Sequence, residues 1–284
     1  MSEADPGLRS RIAQRLGLNR NGLYYASRKL AADGELADRI TAVLTEHRHY
    51  GYRRIAIELK VGKNRVRRVM RAYDLHTEAS PHQRHYKQPK GIRIAPPNIL
   101  KDEAIVANSP NHVWACDFTY LWCLGRWYYL ATVIDVFSRE IVGWSMSIHH
   151  DTKLILDALY DALSKQETPA ILHFDRGSEY LSGQHLDLLE RLEVRPSASA
   201  AGSPWQNGFQ ERFYGSFKTE LGSLKDVASE GELFERVALV LNYYNTRRIH
   251  SKLKTNPRQF RKNFDYARQT LTVVADKVLE KSGA

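Results

Sequence analysis

The feature that most constrains this chain begins at residue 112. Three segments come close together there: "HVWACDFTYLW", "RWYYLATVIDVFS" and "EIVGWSMS". Each is rich in β-branched and aromatic residues, and only short turns separate them, which predicts three strands that pair as antiparallel neighbours. A chain carrying that block is not all-helical, and its later segments must cover a sheet. An amphipathic helix is predicted at 152–165, a short strand "AILHFD" at 170–175, a helix at 183–192 and a brief strand at 194–198. The next helix starts near Pro204, a residue suited to a first helical position, and another spans 230–246. The order βββ-α-β-α-β-α predicts an α/β domain built on a mixed sheet.

The chain before that block is different. Residues 9–30 read as helical with a turn around Gly17–Asn19. Residues 35–76 read as two or three helices. Leu36, Ile40, Val43 and Leu44 share one face of the first. Ile55 and Leu59 mark a second, and Val66, Val69, Met70 and Tyr73 a third, with Asn64 as its N-cap. A turn containing Gly62 joins the last two, which suggests a helix-turn-helix. Residues 77–109 hold four prolines and no sustained period, so they read as a linker. The expected division is 1–34 helical segment, 35–76 helix-turn-helix module, 77–109 linker, 110–262 α/β core and 263–284 tail.

Charge separates these parts further. The formal net charge is +10, and residues 47–93 alone hold 13 Lys/Arg against 3 Asp/Glu. The remainder is close to neutral. Such asymmetry points to a polyanionic partner, most simply nucleic acid. Arg53, Arg54, Lys63, Arg65, Arg67, Arg68 and Arg71 are the candidate contacts. No run of about 18 apolar residues occurs, so no membrane span is expected. The N-terminus lacks the apolar stretch of a secretory signal. The two cysteines, Cys116 and Cys123, read as packing residues, and a reducing cytoplasmic compartment follows.

Three acids stand in suggestive places. Asp117 lies inside the first strand among Trp114, Cys116, Phe118 and Tyr120. An isolated buried carboxylate is costly, and a bound cation is one way to offset that cost. Asp175 ends the fourth strand, where open α/β sheets commonly bind ligands. Glu211 sits in "SPWQNGFQERFYGSFKTEL", opposite an apolar stripe of Phe209, Phe213, Phe217 and Leu221. Gly208 and Gly215 lie beside it although helix-interior glycine costs up to about 1 kcal/mol against alanine. Their presence suggests that a backbone or a nucleotide comes close to Glu211. Other residues carry weaker readings. Asp135 reads as structural and His173 as a core histidine. Asn207 and Gln206 read equally as DNA contacts or helix caps, and Arg247, Arg248, His250, Lys252 and Lys254 as a phosphate-binding run or a solvated turn.

Asp117, Asp175 and Glu211, with 35 residues between the last two, resemble the DDE signature of the retroviral-integrase superfamily. Lys218, seven residues after Glu211, matches the basic residue of bacterial insertion-sequence transposases. The words "HRHYGYRRI", "WACDFTYLW", "VIDVFSREIVGW", "FDRGSEY" and "SPWQNGF" agree, so the likeness runs from about residue 45 to 262. The chain is similar to the catalytic, orfB-type product of such elements. The resemblance implies a ribonuclease H-like fold, a mixed five-stranded sheet flanked by helices, behind an N-terminal all-helical helix-turn-helix module. It implies that Asp117, Asp175 and Glu211 are catalytic and ligate metal, and that Lys218 contacts DNA. The chemistry suits those residues, since two Mg²⁺ ions, with Mn²⁺ as a substitute, prefer oxygen ligands and serve phosphodiester transfer. Water would free a 3′-OH at the element end, and that hydroxyl would attack target DNA. Rival readings are a catalytically silent DNA-binding regulator derived from such an element, and a phage or retroelement integrase.

The resemblance also implies partners beyond DNA. Joining two element ends takes at least two copies, hence a homo-oligomer on DNA. Residues 11–25 look like the tail of a helix-turn-helix, and no leucine heptad precedes them. In the family an upstream frame encodes a helix-turn-helix and a leucine zipper, fused by frameshifting, so that product is the expected further partner.

Overall fold

The computed structural model describes residues 28–77, 95–200 and 202–282. The chain divides into two compact units, Met1–Glu78 and Ala79–Ala284. The helical reading of 9–30 and the basic half of the linker, through residue 94, fall largely or wholly outside the described residues.

The first unit holds helices α1 (Arg28–Glu46), α2 (Tyr52–Glu58) and α3 (Lys63–Ala72). Leu36, Ile40, Val43, Ile55, Val66 and Val69 are all buried, so most of the apolar stripes read from the sequence meet, whereas Tyr73, at the C-cap of the third helix, is exposed. Two details differ from expectation. Helix α1 starts at Arg28 and runs through the boundary set at residue 34. Asp33 explains this, because it takes Arg68 in a two-pronged pair at 2.5 and 2.9 Å and so ties the start of α1 to α3. Helix α3 is capped by Gly62 with no side-chain bond, and Asn64 lies inside the helix rather than at its cap.

The second unit begins earlier than expected. Short helix α4 (Ile99–Asp102) buries Ile99 and is capped by Asn98, which also donates to Gln206 at 2.7 Å. Residues 95–109 therefore belong to the core rather than to a linker. Strands β1 (Val113–Cys123), β2 (Arg126–Asp135), β3 (Ile141–Ser147), β4 (Ile171–Phe174) and β5 (Arg195–Ala198) form one sheet in the order β3-β2-β1-β4-β5. The first three are antiparallel, and β4 and β5 join parallel to β1 and to each other. The helices are α5 (Thr152–Leu163), α6 (Gly183–Arg191), α7 (Gly208–Leu221) after a 3₁₀ turn (Pro204–Asn207), α8 (Glu230–Thr246) and α9 (Pro257–Ser282).

Alternation along β1 sorts the two faces. Val113, Ala115, Leu121 and Cys123 pack with Phe213, Phe217, Leu233, Val237 and Leu241 of α7 and α8. Trp114 and Cys116 pack with Leu154, Ala158, Leu159 and Leu189 of α5 and α6. The result is a helix–sheet–helix sandwich. On β3, Gly143 brings α5 close, since a Cβ there would stand 2.4 Å from the Ala158 carbonyl oxygen. The expected tail from 263 onward is instead the continuation of α9. That helix is anchored at its start by Arg258 on buried Glu140 at 3.0 Å and by Phe260 and Phe264 on Phe137.

Candidate active site

Strand β1 sets the position of the first acid. The parallel register pairs Val113 with Ile171, Trp114 with Leu172 and Ala115 with His173. Asp117 lies two residues further along β1, and Asp175 directly follows the last residue of β4, so both acids come at the same end of this pairing. Asp117 is half-buried, and its Oδ1 accepts from the Phe118 N–H at 2.8 Å. Asp175 folds back onto its own exit turn, where Oδ1 accepts from the Gly177 N–H at 2.8 Å. The turn packs closely around Gly177: a Cβ there would come within 3.0 Å of that oxygen and 2.8 Å of Glu179 Oε2.

Helix α7 supplies the third acid and is held on the sheet by polar bonds that the sequence did not announce. Gln210 is fully buried and donates to the carbonyls of Ala115 at 2.6 Å and Thr132 at 3.1 Å. The Tyr214 hydroxyl donates to the Asp117 carbonyl at 2.7 Å and meets the Thr132 hydroxyl at 2.9 Å. Asn207 donates to the Cys116 carbonyl at 3.1 Å. These residues clasp the backbone of β1 at Ala115, Cys116 and Asp117, and so place α7 beside Asp117. Their spacing, near one turn and then two, is the one signal by which the sequence could have marked a polar face turned toward the sheet.

Glu211 is exposed on α7. Gly208 and Gly215 flank it one turn to either side, and a Cβ at either would meet nothing within 4 Å. No described part of the protein makes the close approach that the glycines suggested, and the surface beside Glu211 is open. Lys218 is half-buried with its Nζ over the Tyr120 ring at 5.2 Å.

The electrostatics bring these groups together. Burial pushes the Asp117 carboxyl well above the usual range, and the charge of Asp175 and, more weakly, Glu211 adds to it. The Phe118 N–H and Lys218 act the other way. Burial lowers the Lys218 pKa, against a pull upward from Asp117. Like charges that raise one another in this way are relieved by a cation. The donors are hard oxygens, which suit Mg²⁺ or Mn²⁺ rather than a soft metal. Among the described residues no three His, Cys, Asp or Glu side chains already stand close enough to hold a metal ion.

Other expected site residues distribute differently. Asn207 is buried with its amide on Cys116, so its reading as a DNA contact gives way to a positioning role. Arg68 and Arg65 face Asp33 of α1, the second at 3.8 Å. The guanidinium groups of Arg53 and Arg67 lie 5.6 and 5.7 Å from the Tyr52 ring, and that of Arg54 5.7 Å from Tyr50. Lys63 and Arg71 lie on the same exposed basic helix, α3. Arg248 is buried against Glu220 at 3.1 Å and is structural. Asp135 accepts from Asn111 N–H, Ser138 N–H and the Ser138 hydroxyl, as a structural acid should. His173 lies between the hydroxyls of Ser197 and Ser199, and burial lowers its pKa to about 4.

A five-stranded mixed sheet in the order β3-β2-β1-β4-β5, covered by helices on both faces, has the architecture of an integrase core domain. Comparison with known proteins agrees. Two models described as "Integrase core domain" match residues 107–204 and 192–257. The transposase for insertion sequence element IS904 of Lactococcus lactis is 34% identical over 238 residues, 80% of this chain and 93% of that protein. The putative transposase InsK for insertion sequence element IS150 of Escherichia coli is 31% identical over 248 residues, 83% and 86% of the two chains. Among solved structures, the cryo-EM structure of a simian T-cell lymphotropic virus intasome in complex with PP2A regulatory subunit B56 gamma shares the fold. Its TM-score is 0.50 at 17% identity, covering 78% of this chain and 74% of that one. The chain belongs to the insertion-sequence transposases of the DDE integrase superfamily, and its core is ribonuclease H-like.

Proposed function

We propose that this protein is a DNA transposase that cleaves the ends of an insertion sequence and joins the freed 3′-OH to target DNA. Asp117, Asp175 and Glu211 hold two divalent ions, Mg²⁺ with Mn²⁺ as substitute. This reading is supported by the parallel pairing of β1 with β4, which leads Asp117 and Asp175 to the same end of the two strands, and by the charges of Asp175 and Glu211 acting on the Asp117 carboxyl. When bound, the ions supply an activated attacking oxygen and neutralise charge on the phosphate and the leaving oxygen. The chain's own residues orient the reaction. The Phe118 and Gly177 N–H groups hold one oxygen each of Asp117 and Asp175. The open surface at Gly208 and Gly215 admits the DNA backbone beside Glu211, and Lys218 offers that backbone a cation. Lys63, Arg67 and Arg71 bind phosphates elsewhere on the DNA.

The reaction is tested with a labelled 3′-OH donor oligonucleotide and target duplex, with Mg²⁺ present. Asp117→Asn, Asp175→Asn and Glu211→Gln should each reduce joining by about 10³-fold or more while DNA binding persists. Joining that survives any one of these changes, or that proceeds in excess chelator, would refute the assignment. A chain that binds ends and never joins them is the silent regulator. The protein acts in the cytoplasm as a homo-oligomer on DNA, together with the product of an upstream frame. Among the described residues no helix is long and apolar enough to cross a membrane. A gel-shift titration on end and scrambled DNA tests the partner. The fusion should discriminate by several kcal/mol, within the roughly 4–10 kcal/mol of specific over non-specific binding. Full discrimination by the 284-residue chain alone would remove the need for that product.

A further inference from the structure

Tyr180 follows Asp175 by five residues, on the same exit from β4. It is fully buried, stacked on Phe174 with centroids 5.5 Å apart and edge-on to His185 at 5.7 Å. Its ring packs on the turn that shapes Asp175. A Cβ at Gly177 would stand 3.0 Å from Asp175 Oδ1 and 3.3 Å from Tyr180 Cδ2, so the carboxylate and the ring edge flank one narrow gap. Yet the Tyr180 hydroxyl, buried, finds no hydrogen-bond partner among the described residues. The contrast is Tyr214, whose hydroxyl reaches the carbonyls of Asp117 and Leu130 and the hydroxyl of Thr132. A phenylalanine would fill the Tyr180 site equally well and would bury no orphaned hydroxyl. Buried polar groups without partners are rare and costly, and each asks for a reason.

We propose that the Tyr180 hydroxyl is a reserved donor for the Asp117–Asp175 carboxylate pair, engaged when the pair turns onto a divalent cation, which makes Tyr180 a positioning residue. Metal-bound carboxylates need outer donors to hold their orientation. An O–H donated to a carboxylate is among the stronger such bonds. Burial raises the Tyr180 pKa well above its ordinary value, and the carboxylates of Asp117 and Asp175 add to this, so the hydroxyl keeps its proton and remains a donor. Tyr214 clasps the backbone of Asp117 from α7, and Tyr180 serves the side chains from the β4 exit.

The inference rests on the metal site proposed above, and one experiment separates the two. The full chain, Tyr180→Phe and Asp117→Asn are melted across a MgCl₂ titration at constant ionic strength. Without metal, Tyr180→Phe should melt about 2–4 °C above the parent, because an unpaired buried hydroxyl is gone. The Mg²⁺ concentration giving half of the thermal shift should rise about 10–100-fold. A midpoint unchanged from the parent would overturn the role of Tyr180 and leave the metal site standing. A fall in melting temperature without metal would also overturn it, since the hydroxyl would then already be bonded. A parent that shows no Mg²⁺-dependent shift beyond that of Asp117→Asn would remove the metal site, and this inference with it.

Discussion

Replacing Gln210 by alanine tests how the third acid is held in place. The side chain is fully buried and makes three hydrogen bonds, to the carbonyls of Ala115 and Thr132 and from the Thr132 hydroxyl. Each bond contributes about 1 kcal/mol net, so their loss costs about 3 kcal/mol, and a cavity on the sheet face adds to it. In a unit of this size about 1 kcal/mol lowers the melting temperature by about 2–4 °C, which gives a fall of about 6–12 °C. Gln210→Glu should be worse although it is nearly isosteric. It replaces the donated amide by a carboxylate oxygen facing two carbonyl oxygens in a site without water access. Urea unfolding followed by circular dichroism measures both variants, and strand joining measures the consequence for Glu211 one residue away. A Gln210→Ala protein within about 1 kcal/mol of the parent, or a Gln210→Glu protein as stable as the parent, would show that the Gln210 bonds do not dock α7.

Four further outcomes rest on the same structure. Gly143→Ala should destabilise the core by at least about 1–3 kcal/mol, because its Cβ would meet backbone atoms of α5 at 2.4 and 2.5 Å; an unchanged unfolding midpoint would contradict that close packing. Joint alanine substitution of Lys63, Arg67 and Arg71 should weaken DNA binding and flatten the slope of log K against log salt by about 0.9 for each phosphate left unneutralised. Arg68→Ala should instead destabilise the helical unit by uncovering Asp33, which is 7% exposed; an unaltered salt slope in the triple variant assigns the DNA contacts elsewhere. His185 is fully buried, its Nδ1 2.8 Å from the Tyr180 carbonyl, and burial holds its pKa below 6.5. The unfolded chain takes up that proton near pH 6.5, so the stability is present above this pH and is lost as pH falls toward the lower folded value. The stability advantage of the parent over His185→Asn should therefore shrink between pH 7.5 and 5.5; a constant difference would refute a neutral buried imidazole.

Much of this protein is legible in its sequence because periodicity and burial coincide. The β-branched runs after residue 112 are apolar on both faces, the helices at 152 and 230 each turn one face inward, and local pattern alone locates them. Asp117, Asp175 and Glu211 stand out for a related reason, since an acid inside an apolar strand, at a strand end or between helix glycines contradicts its surroundings. Tertiary structure decided what local pattern does not contain. Helix α1 passes residue 34 because Asp33 pairs with Arg68, 35 positions later. Residues 95–109 join the core because Asn98 reaches Gln206, and α9 continues past 263 from an anchor on Glu140. Asn207, Gln210 and Tyr214 look like ordinary polar helix residues until β1 offers them its carbonyls. Burial of a polar side chain depends on partners distant along the chain, and no local period records where those partners are.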